Sequence, residues 1–305
     1  MSDRKPPASE SLYRGPSSAP RDKRARERER AQVQDRPVAR QETRPAGPAR
    51  MPPDEDSTPR TPQEQRLYGV NACLALFAAR PEALRKVWLL ESRLPVLKPV
   101  LAWCVKQRLG YTIVEAEDLE KLSGSAHHEG VVFGAMPAPE LSVSSWLREL
   151  APGPQLALWL DGVGNPHNFG AIVRSAAHFG AAGILLPKES TLTLSGAAVR
   201  VAEGGAEALP LVRLGRQDNA IAQLRSAGFG VAAAMVRGGQ SLYETSLPER
   251  MVLLMGAEQA GVGSSLAQAS SLKVQIPGSG AVESLNVASA TSVLLSEWRR
   301  QRAIG

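Results

Sequence analysis

Three short polar segments break the otherwise apolar C-terminal half of this 305-residue sequence: GVGNPHNFG (162–170), MGAEQAGV (255–262) and IPGSGAVESLNVASA (276–290). The first delivers Asn165, Asn168 and, along the following helix, Arg174. Asn168 and Arg174 stand six apart, nearly two helical turns, and are expected to project from a similar side. The second holds Glu258 among glycines that permit unusual backbone angles. The third has Gly278 and Gly280, then Ser284 and Asn286 at a predicted helix start. These are hydrogen-bonding side chains rather than a metal set. His127 and His128 lack a third ligand at metal spacing, His178 is expected within the apolar face of its helix, and His167 adjoins the first segment. Each residue also has a plain structural role open to it. Ser284 suits an N-cap, Glu258 a solvated turn, and Arg174 a surface ion pair.

What must position them is an alternation of strands and helices. Strands are expected at Leu156–Asp161, Gly183–Leu186, Gly230–Ala234, Met251–Met255 and Leu272–Ile276. Helices are expected at Phe169–Phe179, Ala197–Glu203, Asp218–Ala227 and Ser284–Arg302. That pattern predicts a parallel sheet covered on both faces. Each polar segment then lies at the carboxyl end of a strand, where open α/β sheets bind ligands, so the three should converge in one cleft. In the last helix Val287, Thr291, Leu294 and Trp298, widened by Ala290 and Leu295, form an apolar stripe. It suits packing on its own sheet or a dimer interface.

A smaller α/β unit precedes this one. Helices are expected at Val70–Ala79, Leu97–Gln107 and Ala116–Leu122, and strands at Val87–Leu90, Tyr111–Val114 and Val131–Ala135. The Pro-rich stretch 137–154, with a short helix at Val143–Leu150, reads as a linker. The division is therefore an arm at 1–60, a small domain at 66–136, the linker at 137–154 and a larger domain at 155–305.

Composition narrows the class. Residues 1–60 hold 14 Lys and Arg against 10 Asp and Glu, which is +4 of the formal +6, along with 10 of the 23 prolines and one aromatic, Tyr13. So little apolar surface cannot offset the entropy of ordering, and a disordered, net basic arm is expected. No run approaches eighteen apolar residues, which excludes a membrane-spanning helix. The N-terminus has no apolar core of a secretory signal and is too acidic for a mitochondrial presequence. Cys73 and Cys104 form no C-x-x-C and read as small buried hydrophobes. A cytoplasmic protein is expected. In GVGNPHNFG the third glycine of a dinucleotide fingerprint is replaced by His167, and GAEQAGVG also fails the spacing, which disfavours a nicotinamide oxidoreductase.

NPHNFGAIVRSAAHFG, LLMGAEQAGV and IPGSGAVESLNVASA resemble, in order and spacing, the three signature motifs of the SpoU (TrmH) family of RNA ribose 2′-O-methyltransferases. YGVNACLAL and HHEGVVFG are similar to the ends of that family's small substrate-binding domain, and RVAEGGAEALPLVRL to its connecting segment. The resemblance covers roughly residues 66–302. It implies an α/β SPOUT fold with a C-terminal trefoil knot, preceded by a small L30e-like domain. It also implies S-adenosylmethionine as methyl donor, no metal, RNA (tRNA or rRNA) as partner and a homodimer with the active site at its interface. The cofactor would lie against Met255, Gly256, Ala257, Gly261, Ile276, Gly280, Ser284, Leu285 and Asn286. By motif position Asn168, Arg174, Glu258, Ser284 and Asn286 match the family's functional residues.

An arginine stays protonated, so Arg174 is read as holding the target phosphate and stabilising oxyanion charge rather than as a simple base. Asn168 would orient Arg174 or the ribose, Glu258 would fix the knot loop or Arg174, and Ser284 with Asn286 would order the helix start and the substrate. The alternative of another class is an RNA-binding protein on the same fold without catalysis. In the arm, RDKRARERER suits non-specific phosphate contact or a solvated linker equally.

Overall fold

A computed structural model describes residues 63–303, so the expected disorder of residues 1–60 lies outside the described residues. The first part is a four-stranded sheet. It is built from β1 (Gln65–Tyr68), β2 (Leu84–Leu89), β3 (Tyr111–Ile113) and β4 (Val131–Ala135), in spatial order β1-β4-β2-β3. β4 runs antiparallel to both β1 and β2, and β3 lies parallel to β2. Helices α1 (Val70–Ala79), α2 (Leu94–Lys106) and α3 (Ala116–Ser123) intervene.

The second part is an eight-stranded sheet. In chain order it comprises β5 (Leu141–Ser142), α4 (Val143–Glu149), β6 (Gln155–Asp161), α5 (Pro166–His178), β7 (Gly183–Leu186), α6 (Gly196–Ala202), α7 (Gly205–Ala208), β8 (Leu211–Arg213) and α8 (Gln217–Ser226). Then follow β9 (Gly230–Ala234), β10 (Gln240–Ser241), β11 (Arg250–Gly256), α9 (Ser264–Ala269), β12 (Leu272–Gln275) and α10 (Val287–Ala303). The spatial order is β10-β12-β9-β11-β6-β7-β8-β5, and every pairing in this sheet is parallel.

The period-two side-chain rule explains why both faces are covered. Along β6, Leu156, Leu158 and Leu160 enter one core with Phe169 of α5 and Leu294 of α10. Ala157 and Trp159 enter the opposite core with Trp146 of α4 and Leu224 of α8. The first of these cores also takes in Leu67 and Phe133 of the small sheet and Leu76 of α1, so apolar packing is continuous between the two parts. The 137–154 stretch, read as a linker from its prolines, contributes to the second layer. β5 pairs with β8, and the Trp146 indole donates to the Ala182 carbonyl at 2.9 Å.

The α10 stripe is spent on its own chain: Val287, Thr291, Leu294, Leu295 and Trp298 are all buried. Cys73 and Cys104 are buried and free, and burial pushes both thiols above their ordinary range. His178 departs from expectation. It lies exposed at the end of α5 rather than in the apolar face, because Phe169, Ile172, Val173 and Ala176 fill the buried stripe. No helix among the described residues is long and apolar enough to cross a membrane.

Candidate active site

The carboxyl ends of β9, β11 and β12, neighbours in the sheet, open into a cavity of about 660 Å³. Its wall comprises residues 234–237 after β9, 255–258 and Gly261 after β11, and 274–285 after β12, with Val287, Ala290 and Leu294 of α10 closing one side. The wall is made largely of glycines, small residues and aliphatic side chains, with Arg237, Glu258 and Glu283 as its charged members.

Glycine is required at the centre of this wall. A Cβ on Gly256 would stand 2.0 Å from the Gly261 carbonyl carbon and 2.1 Å from Val262 N, so two backbone segments meet where only hydrogen fits. The loop between them closes on itself: Gly261 N donates to Ala257 O at 2.8 Å and Ala257 N to Gly261 O at 3.2 Å. Gly261 takes φ +66°, and its neighbour Gly263 donates its N–H to Asp161 Oδ2 at 3.0 Å, tying the loop to the end of β6.

Beside the cavity the three polar segments meet. Asn165 caps α5, its Oδ1 accepting from His167 N at 2.8 Å and Asn168 N at 3.4 Å, with Pro166 opening the helix. Asn168 Nδ2 then donates to Glu258 Oε1 at 2.9 Å. Asn286 Nδ2 donates to the same carboxylate oxygen at 2.8 Å and to Asn168 Oδ1 at 3.1 Å. With its own Oδ1, Asn286 accepts from Ala288 N at 2.9 Å and Ser289 N at 3.4 Å, which makes it the N-cap of α10. That corrects the helix start from Ser284 to Val287 and moves the capping role from Ser284 to Asn286. Ser284 lies exposed on the cavity wall instead.

Arg174 stands apart from this network. Six residues turn a helix through 600°, which is 120° short of two full turns. Asn168 therefore turns to Glu258, while Arg174 is exposed and makes no hydrogen bond or ion pair among the described residues. The expectation that the two share a side is thus corrected.

Of the residues singled out for the cofactor, Met255, Gly256, Ala257, Gly261, Ile276, Gly280, Ser284 and Leu285 line the cavity, whereas Asn286 lies outside its lining. Met235, Val236 and Arg237 line it too, and no motif marks them. Their signal is topological: they follow β9, which the strand order sets between β11 and β12. His167 is exposed, and His128 is buried with Nδ1 accepting from Gly130 N at 3.0 Å, a turn-stabilising role. Among the described residues no group of three or more His, Cys, Asp or Glu gathers in a way that could hold a metal ion.

Comparison with known proteins identifies the chain's relatives. Residues 155–296 match the SpoU rRNA Methylase family, and residues 66–140 match the RNA 2′-O ribose methyltransferase substrate-binding family. The uncharacterized tRNA/rRNA methyltransferase YfiF of Escherichia coli O157:H7 is 40% identical over 239 residues, covering 78% of this chain and 69% of that protein. A 23S rRNA (guanosine-2′-O-)-methyltransferase of Pseudomonas putida is 34% identical, covering 79% of this chain and 98% of the relative. The crystal structure of an AdoMet-bound rRNA methyltransferase from Sinorhizobium meliloti superposes with TM-score 0.64 at 28% identity, covering 78% and 87% of the two chains. With its strand-end cavity and both matched segments in the family's order, the chain belongs to the SpoU rRNA methylase family.

Proposed function

We propose that this protein transfers a methyl group from S-adenosylmethionine to a ribose 2′-hydroxyl of structured RNA, tRNA or rRNA, in the cytoplasm. One observation carries the reading: a glycine-walled cavity directly adjoining the Asn168–Glu258–Asn286 network in a chain of this family. The cavity fits the donor. Its 660 Å³ falls in the range of about 300–1,000 Å³ typical of small-molecule sites. At Gly256 two backbone segments of the wall meet too closely for any side chain, and at Gly261 the chain takes a left-handed turn, so the loop presents backbone to the cavity. Met255, Gly256, Ala257, Gly261, Ile276, Gly280, Ser284 and Leu285 would hold it, with Asn286 ordering the adjoining helix start.

When bound, the donor supplies an electrophilic methyl on a sulfonium. The protein's own residues then orient the acceptor. Glu258 takes two amide N–H groups on one oxygen and so fixes the faces of Asn168 and Asn286. Asn168 Oδ1 is held by Asn286, which sets the Asn168 amide's orientation. Arg174, exposed and without an internal partner among the described residues, is free to grip the target phosphate through its planar fork and to stabilise charge developing on the 2′-oxygen. The hydroxyl proton leaves to that phosphate or to water.

The proposal includes a homodimer and a trefoil knot in the C-terminal part. The exposure of Arg174, without a partner among the described residues, supports a site completed by a second copy, and membership of the family supports the knot. It also keeps the division into a substrate-binding part at 66–136 and a methyltransferase part at 155–305. The relatives' names and the intact network give no support to an inactive RNA-binding protein. Mapping 2′-O-methylated positions in total RNA with and without the gene tests the reading. One site lost with the gene supports it, and an unchanged map contradicts it.

A further inference from the structure

The segment 196–208, which carries α6 and α7, is pressed between the small sheet on one side and α5 on the other. Glycines mark the contacts. Towards the small sheet, a Cβ on Gly196 would stand 2.4 Å from the Arg66 carbonyl oxygen, one on Gly69 3.1 Å from Arg200 Cγ, and one on Gly204 3.0 Å from Ala75 Cβ. Towards α5, a Cβ on Gly170 would stand 2.4 Å from Ala198 O, and one on Gly205 3.2 Å from the Cα of Arg174 itself. The helix on which Arg174 rides thus rests on this plate at the position of Arg174.

Polar groups clamp the plate to the small sheet's part. Arg80 grips Glu207 with both arms, Nε to Oε2 at 2.6 Å and Nη2 to Oε1 at 3.0 Å, and its Nη1 donates to Met136 O at 2.7 Å. These side chains are only 17% and 9% exposed, so the pair is shielded from salt. Asn71 Nδ2 donates to Glu203 Oε2 at 2.6 Å, and Arg200 Nε lies 3.2 Å from Glu129 Oε1. Glu203 adopts φ +51°, an unusual angle for a residue with a side chain, and it breaks α6 from α7 so that Glu207 meets Arg80.

We infer that Arg80 and Glu207 are positioning residues. Through the 196–208 plate they fix α5, and with it Arg174, relative to the part of the chain that takes up RNA. The small sheet and Arg174 must engage the same RNA at once, and a misplacement of about 1 Å at a reacting centre can cost on the order of a hundredfold in rate. The inference rests on the methyltransferase reading for its kinetic arm but has a second arm that does not.

In the full-length protein, Glu207→Gln and Arg80→Gln are made singly and together, along with the reversal Arg80→Glu/Glu207→Arg. Expected is a kcat for methyl transfer at least about tenfold down in each single variant, with RNA and S-adenosylmethionine affinities within about twofold. The double variant should lose no more than either single, since the two act as one pair, and the reversal should recover part of kcat. Hydrogen exchange should quicken in residues 169–178 of Glu207→Gln and stay unchanged in 251–256. Unchanged kcat, a kcat loss matched by an equal loss of RNA binding, additive losses, or unaltered exchange in α5 would overturn the inference. If the wild-type protein methylates no RNA, the functional reading falls, and the exchange comparison alone decides the role of the pair.

Discussion

Replacing Gly256 by alanine probes the cofactor wall with a single methyl group. The added carbon would meet the Gly261 carbonyl carbon at 2.0 Å and Val262 N at 2.1 Å, both backbone atoms that cannot rotate away. To restore an ordinary contact near 3.4 Å, residues 261–262 must retreat by roughly 1.4 Å. That movement strains the mutual Ala257–Gly261 hydrogen bonds, each worth about 1 kcal/mol. Overpacking adds about 1–3 kcal/mol, so a loss of about 3–5 kcal/mol is expected when both bonds are forfeited. In a folded unit of this size it lowers the melting temperature by about 6–20 °C. Because Gly256, Ala257 and Gly261 all line the cavity, S-adenosylmethionine binding should weaken by at least about tenfold, or about 1.4 kcal/mol. Gly278 lines the same cavity, but a Cβ there meets nothing within 4 Å, so Gly278→Ala is the matched control. Calorimetric titration and thermal melting read both. Gly256→Ala melting and binding like the wild type would refute the packing argument.

Substitutions at three further positions test neighbouring contacts. Glu258→Ala removes the shared acceptor of Asn168 and Asn286; a charge-assisted bond worth about 1.5 kcal/mol or more implies at least about a tenfold fall in turnover, whereas Glu258→Gln, which keeps an acceptor oxygen, should lose less. Steady-state methyl transfer distinguishes them, and equal losses would count against the acceptor role. Arg174→Lys keeps the charge but loses the fork, and turnover is expected to fall by about a hundredfold; near-normal turnover would reject the bidentate grip. Glu297, buried on α10, accepts both arms of Arg300 and an N–H of Gln301, and the Arg300 fork holds its carboxyl below the ordinary range near 4.5. Its folded pKa is therefore depressed, so its contribution is complete above pH 4.5 and drains away as the pH falls through the folded value. The melting-temperature gap between wild type and Glu297→Gln should narrow below pH 4.5, and a gap independent of pH would refute the assignment.

Much of this architecture is legible in the residues, and the gaps have physical causes. Val70–Ala79, Val131–Ala135, Gly183–Leu186 and Gly230–Ala234 begin and end where their patterns predict, because burial imposes the apolar period directly. β1 escapes, since QRLY is short and half polar and becomes a strand only by pairing with β4, more than sixty residues away. β8 and β5, three and two residues long, exist through each other and through β7. At the site, the glycine-rich strand ends mark the cavity's β11 and β12 walls, while the β9 wall, MVR, has no local signature and depends on strand order. The seam that joins Arg80 to Glu207 spans 127 residues of sequence, beyond any periodicity.

The chemistry proposed for this protein is methyl transfer to a ribose hydroxyl. Incubating the protein with methyl-labelled S-adenosylmethionine and RNA from cells lacking the gene tests it directly. Label is expected to enter RNA as a 2′-O-methylated nucleotide, seen as an alkali-resistant dinucleotide, and Arg174→Ala is expected to abolish it. Label confined to bases, or none with the wild-type protein, would contradict it.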